Sequence, residues 1–274
     1  MKADAAKPRV TILGAGPAGV GAALMLANSG KAQSIVALER APRVGGNSGS
    51  FDLEGIHCDF GSHRLHPASE PHILAMIQDA VGPDLLWRPR HGRIRLQKRW
   101  IHFPLKPVDL VLKLPKGFTF SLFWDAATKK LRRKPEGPET FASVLLTGLG
   151  PAMSESFYFP YMRKLWALPP EELAVTLAQK RISGSSVGKI VKKILGQVPG
   201  LKKPMTGGFF YPRKGFGQIS DALRARAEAR DARFELDAAV SAVEHKDGKV
   251  TAVRWKRGDT ETRVESDVVW STLP

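Results

Sequence analysis

The chain has one cysteine, Cys58, among 274 residues. An intramolecular disulfide is therefore excluded, and the composition fits a reducing cytoplasm. Cys58 lies in the alternating run Phe51–Phe60 and reads as a packed strand residue. No apolar run reaches the length of a membrane span. The N-terminus, M-K-A-D-A-A-K-P-R, lacks the apolar core of a secretory signal. The seven histidines show no H-x-x-x-H spacing and there is no C-x-x-C, so no metal centre is expected. A G-x-S-x-G nucleophile elbow is also missing. These absences leave a globular chain large enough for two domains, expected in the cytoplasm.

Acidic residues are scarce as well: 26 against 42 basic ones, a net charge of +16. The deficit is local. Residues 81–134 carry 14 basic and 3 acidic groups, and residues 186–214 carry 7 basic and no acidic groups. The first eighty residues are balanced at 7 and 7. Such a field attracts an anionic small molecule or an anionic membrane surface; the alternative is a solvated basic surface. The run Val187–Leu195 puts apolar residues on one helical face and Lys189, Lys192 and Lys193 on the other. It is usable peripherally at a membrane surface or as an ordinary packed helix. Nucleic acid is not expected, because the basic blocks lack a recognisable reading module. Oligomeric state is not legible.

What the chain does have is concentrated in Arg9–Glu39. Val10, Ile12 and Leu13 make a short apolar strand, and Gly14, Gly16 and Gly19 form G-x-G-x-x-G. Pro17 and Ala18 lie inside that turn, and Val20–Ala27 continues as a helix. Gly14 permits the tight turn, Gly16 lets backbone approach a pyrophosphate, and Gly19 lets helix and strand pack closely. The helix N-terminus then offers N–H groups and a positive dipole end to phosphates. Ser34–Leu38 is a second strand, and Glu39 at its end can accept hydrogen bonds from a ribose without a 2′-phosphate. The order strand, glycine turn, helix, strand, acid is the context that makes this motif informative.

The next residues, E-R-A-P-R-V-G-G-N from Glu39 to Asn47, resemble the E-x(5)-G-G segment of a large flavoenzyme family. That family includes monoamine oxidases, phytoene desaturases, protoporphyrinogen oxidases and UDP-galactopyranose mutases. The resemblance implies FAD as the cofactor, with Arg40, Gly45, Gly46 and Asn47 beside it. Asn47 stands where many members have Arg. Asp59–Pro67, D-F-G-S-H-R-L-H-P, resembles the G-[GAS]-H-x-[FL] segment that lies beside the isoalloxazine ring. It implies that Gly61, Ser62 and His63 contact the flavin, with Arg64 and His66 as outer candidates. His63 is the candidate catalytic residue, tuning the flavin or shuttling a proton; alternatively it bonds loop backbone.

Three more segments extend the likeness. Phe157–Leu173 resembles P-Y-x-x-K-x-W-G-x-x-P-x-E-L, matching Tyr161, Lys164 and Trp166, with Ala167 in place of Gly. Tyr161, Lys164, the more loosely matched Arg181, and Tyr211 are the candidate substrate residues. Phe209–Leu223 resembles the turn that re-enters the flavin domain, and the strand around Val240 the segment touching the adenine side. Val268–Pro274 resembles the strand leading back under the cofactor.

The expected fold is α/β: a discontinuous Rossmann-like FAD-binding domain, residues 1–80 and 206–274, with a mainly helical, basic substrate domain inserted over 81–205. Helices are expected over 70–81, 139–148, 154–165, 171–180 and 217–230, with a helical, Pro-punctuated stretch over 105–138. Strands are expected around Gly55, around Gln97–Lys98, and over 234–235, 239–245, 250–256 and 263–270. The resemblance implies an FAD-dependent oxidoreductase that takes hydride onto flavin N5. Its rival is a mutase that acts on a nucleotide sugar with reduced flavin. Family members continue well past S-T-L-P with a late Gly-Asp segment, for which Gly258-Asp259 comes too early. The resemblance therefore implies a C-terminally truncated fragment, inactive without that segment.

Overall fold

A computed structural model describes residues 6–102, 109, 112–132, 137–182 and 207–274, with backbone only for 179–182. Met1–Pro89 with Gly207–Pro274 forms one compact unit and Arg90–Thr206 a second. The first opens with β1 (Arg9–Leu13), α1 (Pro17–Ser29), β2 (Ser34–Leu38), β3 (Ser50–Leu53), β4 (Ile56–Asp59), α2 (Pro71–Val81) and β5 (Leu85–Pro89). The second contains β6 (Arg93–Leu96), β7 (Arg99–His102), α3 (Lys116–Ala127), α4 (Phe141–Leu149), α5 (Phe159–Trp166) and α6 (Val175–Ile182). The chain returns to the first unit as β8 (Gly208–Pro212), α7 (Gln218–Glu228), β9 (Ala232–Glu235), β10 (Ala239–Lys246), β11 (Lys249–Arg257), β12 (Thr260–Glu265) and β13 (Val268–Ser271).

The central sheet has the order β13-β1-β2-β9, with every pair parallel. Parallel strands of this kind are buried on both faces, which is why β1 and β2 read as nearly continuous apolar runs. Their alternation still sorts the two faces. Val10, Ile12, Ile35 and Ala37 pack with Val20, Ala23 and Leu24 of α1, Ile77 and Val81 of α2, and Ile219 and Leu223 of α7. Leu13, Val36 and Leu38 pack with Val253 and Trp255 of the antiparallel sheet β10-β11-β12. The hairpin β3–β4 turns at Glu54 and Gly55, both at positive φ. That matches a two-residue turn whose twist suits the strands. Cys58 is half-buried in β4.

One expected strand, 263–270, is two. β12 ends at Glu265 in the antiparallel sheet, and β13 begins at Val268 in the parallel one. The change of sheet is held at the joint. Buried Ser266 shares a hydrogen bond with Thr11, and the Asp267 N–H donates to the Arg9 carbonyl at 2.9 Å. β5, which pairs antiparallel with β8, has no counterpart among the expected elements.

In the second unit, Phe141, Ala142 and Leu145 of α4 pack on Phe159 and Met162 of α5 and Ala178 of α6. α4 starts with a reciprocal cap: Thr140 Oγ1 accepts from Ser143 N–H, and Ser143 Oγ accepts from Thr140 N–H. The helix expected over 154–165 opens instead with a π-turn, Ser154–Tyr158, before α5. Pro160 has no N–H to give the preceding turn, and the wider turn accommodates it. The helix expected over 171–180 is displaced: Pro170–Glu172 is a 3₁₀ turn and α6 follows. Of the stretch 105–138, α3 and the 3₁₀ turn Thr128–Leu131 are helical. The amphipathic run 187–195 lies outside the described residues. Among the described residues no helix is long and apolar enough to cross a membrane.

Candidate functional site

The site is built where β1 meets α1. Gly14 leaves the strand at φ +91° and its N–H donates to the Leu38 carbonyl at 2.8 Å. The following peptide is fixed from two sides: Ala15 N–H donates to Glu39 Oε2 at 2.8 Å, and the Ala15 carbonyl accepts from Gly45 N–H at 2.8 Å. Gly16 is the N-cap of α1 and provides no side-chain cap, while Pro17 needs no hydrogen bond at the first position. Pro17 and Ala18 are exposed. A Cβ added to Gly16 would meet nothing within 4 Å, whereas one added to buried Gly19 would lie 1.9 Å from the Gly14 carbonyl oxygen. The two glycines thus have separate reasons. Gly19 is required by packing, and Gly16 keeps open space in front of an uncapped helix N-terminus.

Glu39 is half-buried, and its second oxygen accepts from Ala41 N–H at 3.0 Å. Each carboxylate oxygen retains acceptor capacity for another donor. Arg40 is exposed. Gly45 and Gly46 both have positive φ, and a Cβ on Gly46 would come within 3.4 Å of Gly16 Cα. The Gly-Gly turn therefore lies against the glycine turn. Asn47 follows in the 3₁₀ turn Gly46–Ser48, and its carbonyl accepts from His63 Nε2 at 2.8 Å. A carbonyl can only accept, so that bond places a proton on Nε2. His63 also packs on Phe216, ring centroids 5.2 Å apart, and its N–H closes a turn onto the Gly61 carbonyl. Three sequence-distant candidates, Gly14–Gly19, Gly45–Asn47 and Gly61–His63, are thus joined by consecutive contacts.

Around Ser62 and His63 lies an open hollow of about 280 Å³, lined also by Asp59, Arg64, Arg88, Phe209 and Tyr211. Its polar anchor is Asp59, which the sequence reading did not single out. Asp59 Oδ1 accepts from Ser50 Oγ at 2.6 Å and from Phe216 N–H at 2.9 Å, and Oδ2 accepts from Tyr211 at 2.6 Å. Burial opposes the charge on Asp59. The hydrogen bonds of Ser50, Tyr211 and Phe216, with His63 nearby, outweigh it and hold the carboxyl below its usual value. Tyr211 moves the other way, pushed up to about 12 by burial first and then by its bond to Asp59. The signal available in the sequence was position alone, one residue before the Phe60-Gly61-Ser62-His63 run.

The other candidates lie elsewhere. Val240 is half-buried in β10, against the cluster of Leu13, Leu38, Val253 and Trp255. Arg64 stacks its guanidinium over Phe209 at 5.2 Å, and His66 Nδ1 accepts from Ala68 N–H at 3.0 Å. Tyr161 and Lys164 are exposed on α5 of the second unit, Tyr161 stacked on Phe157 at 6.1 Å. Arg181 falls in α6, and its side chain is outside the described residues. A further residue missed in the sequence is Thr272, whose hydroxyl donates to the Leu13 carbonyl at 2.9 Å beneath the glycine turn.

A parallel sheet with a glycine turn, an uncapped helix and an acid after the second strand defines a dinucleotide-binding α/β fold. The chain belongs to the flavin containing amine oxidoreductase family, whose model matches residues 17–274. Membership makes FAD the cofactor. A curated relative, 4,4'-diapolycopene oxygenase of Methylomonas sp., is 22% identical over 298 residues, spanning 97% of this chain and 55% of its own. Among solved structures, reduced UDP-galactopyranose mutase superposes with a TM-score of 0.76 at 23% identity, covering 97% of this chain and 56% of the mutase. Putrescine oxidase superposes at 0.60 with 18% identity, covering 97% and 58%. These likenesses are of fold. The chain spans a little over half the length of the proteins it matches.

Proposed function

We propose that this chain carries the FAD-binding unit of an oxidoreductase acting on a small anionic molecule. The observation that carries the reading is the open space before Gly16, bounded by the uncapped α1 and the Gly45–Gly46 turn. It suits a pyrophosphate, because no atom of the described residues lies within 4 Å of where a Gly16 Cβ would stand and the helix end favours negative charge. Glu39 would hold the adenosine ribose, and Gly61, Ser62 and His63 would lie toward the redox end. Bound FAD supplies a hydride acceptor for an electron-rich C–H or C–N centre. The chain's own contribution is orientation. Asn47 fixes the His63 ring, whose Nδ1 accepts a proton, and Asp59 holds the loop that bears it. Arg64 and Arg88 beside the hollow favour an anionic substrate.

FAD titration of the purified full chain tests the cofactor assignment. A saturable, structured flavin spectrum supports it; tight NADP binding with no flavin uptake overturns it. A second reading, a mutase using reduced flavin without net redox change, is motivated by the Gly61-Ser62-His63 segment. Anaerobic turnover separates the two. An oxidoreductase leaves the flavin reduced until an acceptor is added, whereas a mutase works only from reduced flavin and leaves it reduced.

A further inference from the structure

Helix α3 in the second unit packs Phe118 inward on Leu96, Ile101 and Leu114 but turns its other aromatic rings outward. Its inward positions include Thr119 and Asp125, each 9% exposed, while Phe120, Phe123 and Trp124 are 68%, 56% and 61% exposed. Leu131, just past the helix, is 81% exposed. A helix that packs by the hydrophobic effect does the opposite. Phe120 and Trp124 stack at a centroid distance of 6.4 Å and border a hollow of about 510 Å³ shared with Pro151 and Ala152. This arrangement presents aromatic surface outward and has its polar groups occupied inside. Asp125 accepts from Ala152 N–H at 2.8 Å and pairs with Arg132.

The exposed charge of the segment that carries this face has one sign. Lys113 and Lys116 precede the rings and Lys129 and Lys130 follow them. The acids of the segment are Asp109 and Asp125, and both are buried and partnered: Asp109 accepts from His102 N–H at 2.7 Å and from Lys113 at 2.9 Å. No exposed carboxylate opposes the lysines between residues 109 and 132.

We infer that the face formed by Phe120, Phe123, Trp124 and Leu131 docks on an anionic lipid bilayer. Aromatic rings suit the boundary between headgroups and acyl chains, and lysines flanking them reach anionic headgroups with their stems along the apolar layer. A second copy of the chain is a poorer occupant, because it would set the same lysines against one another. The inference is independent of the redox reading.

The test is co-sedimentation of the full chain with vesicles of phosphatidylcholine alone and of phosphatidylcholine with phosphatidylserine. Binding to the anionic vesicles, weakened by salt, is expected. F120S/F123S/W124S changes exposed residues only and is expected to abolish binding with an unchanged circular dichroism spectrum. K129E/K130E is expected to lower affinity about tenfold or more, since each basic residue near such a surface contributes roughly fivefold. This second variant keeps the test valid if the first fails to fold. Equal binding to both vesicle types, unchanged binding of either folded variant, or binding to a single-stranded oligonucleotide in preference to vesicles would overturn the inference.

Discussion

The glycine turn of the first unit leaves backbone open to its surroundings, whereas α3 of the second leaves aromatic rings open. In the turn, almost every group is fixed by something distant in sequence. Ala15 is held by Glu39 and Gly45, and Leu13 by Thr272. In α3 the fixed groups point inward and the outward ones touch little of the chain. Backbone that must meet a ligand at hydrogen-bond distance needs pre-organisation. Rings that meet a fluid boundary need only exposure. The two regions therefore respond differently to the same kind of change.

The sharpest way to break this contrast is inside the turn itself. Gly19→Ala puts a methyl 1.9 Å from the Gly14 oxygen. Alanine gains up to about 1 kcal/mol of helix propensity, but overpacking against fixed backbone costs about 3 kcal/mol. Net destabilisation is expected in denaturant titration. Gly16→Ala meets nothing within 4 Å, so stability should stay within about 0.5 kcal/mol while FAD affinity falls. Unchanged FAD affinity in Gly16→Ala would show that the open space is not a ligand site.

Asp59 gives the next largest effect. Asp59→Ala leaves the Ser50 and Tyr211 hydroxyls and the Phe216 N–H without their acceptor, costing about 2 kcal/mol. The pH dependence has a definite sign. Asp59 is held below its ordinary 3.8, so its contribution is full above that value and is lost as pH falls through the lower folded value. Tyr211 is raised from 10.0 to about 12, so its contribution is full below 10.0 and is lost as pH rises through about 12. A tyrosinate absorbance titration should show a step near 12 that disappears in Tyr211→Phe. If it persists, the pair is not formed.

These pairs mark the boundary of what was legible. The β1–α1–β2 unit was readable because its signals lie within thirty residues, each with a steric reason. The hairpins at Gly55 and Gln97–Lys98 were readable from their turns. Asp59 was not, because its partners Ser50, Tyr211 and Phe216 come from three segments, two of them beyond the second unit. Among the described residues β5 pairs with β8 alone, and its L-L-W-R-P run has no alternation of its own. The split of 263–270 has no local signal, because neither Gly nor Pro interrupts V-E-S-D-V. What breaks it is a sheet change fixed by Thr11 and Arg9.

Glu39→Gln tests the acid at a smaller scale. Glutamine retains one acceptor oxygen, so one of the bonds from Ala15 and Ala41 is lost, at about 1 kcal/mol of stability. FAD affinity should fall about tenfold, the difference between a charged and a neutral acceptor. Discrimination against a 2′-phosphorylated dinucleotide should relax. Unchanged FAD affinity, measured by fluorescence titration, would remove Glu39 from the ribose site.

The smallest effects separate two neighbours at the sheet change. Ser266 is fully buried and shares its hydrogen bond with Thr11, so Ser266→Ala leaves a buried hydroxyl unpaired and should cost about 1 kcal/mol at any salt concentration. Asp267 is exposed. It accepts from Arg9 N–H at 2.8 Å and from the Arg9 guanidinium at 2.8 and 3.1 Å, and these bonds hold its carboxyl down to about 2. Its contribution is therefore full above its ordinary 3.8 and is lost as pH falls through about 2. Water and salt screen such a pair, and Asp267→Asn keeps an oxygen for the Arg9 N–H. A small loss of stability, visible at low salt and absent at high salt, is expected. The measurement is a pair of denaturant titrations at two ionic strengths. A salt-independent loss in Asp267→Asn as large as that of Ser266→Ala would mean that the surface pair, and not the buried hydroxyls, fixes the crossing from β12 to β13.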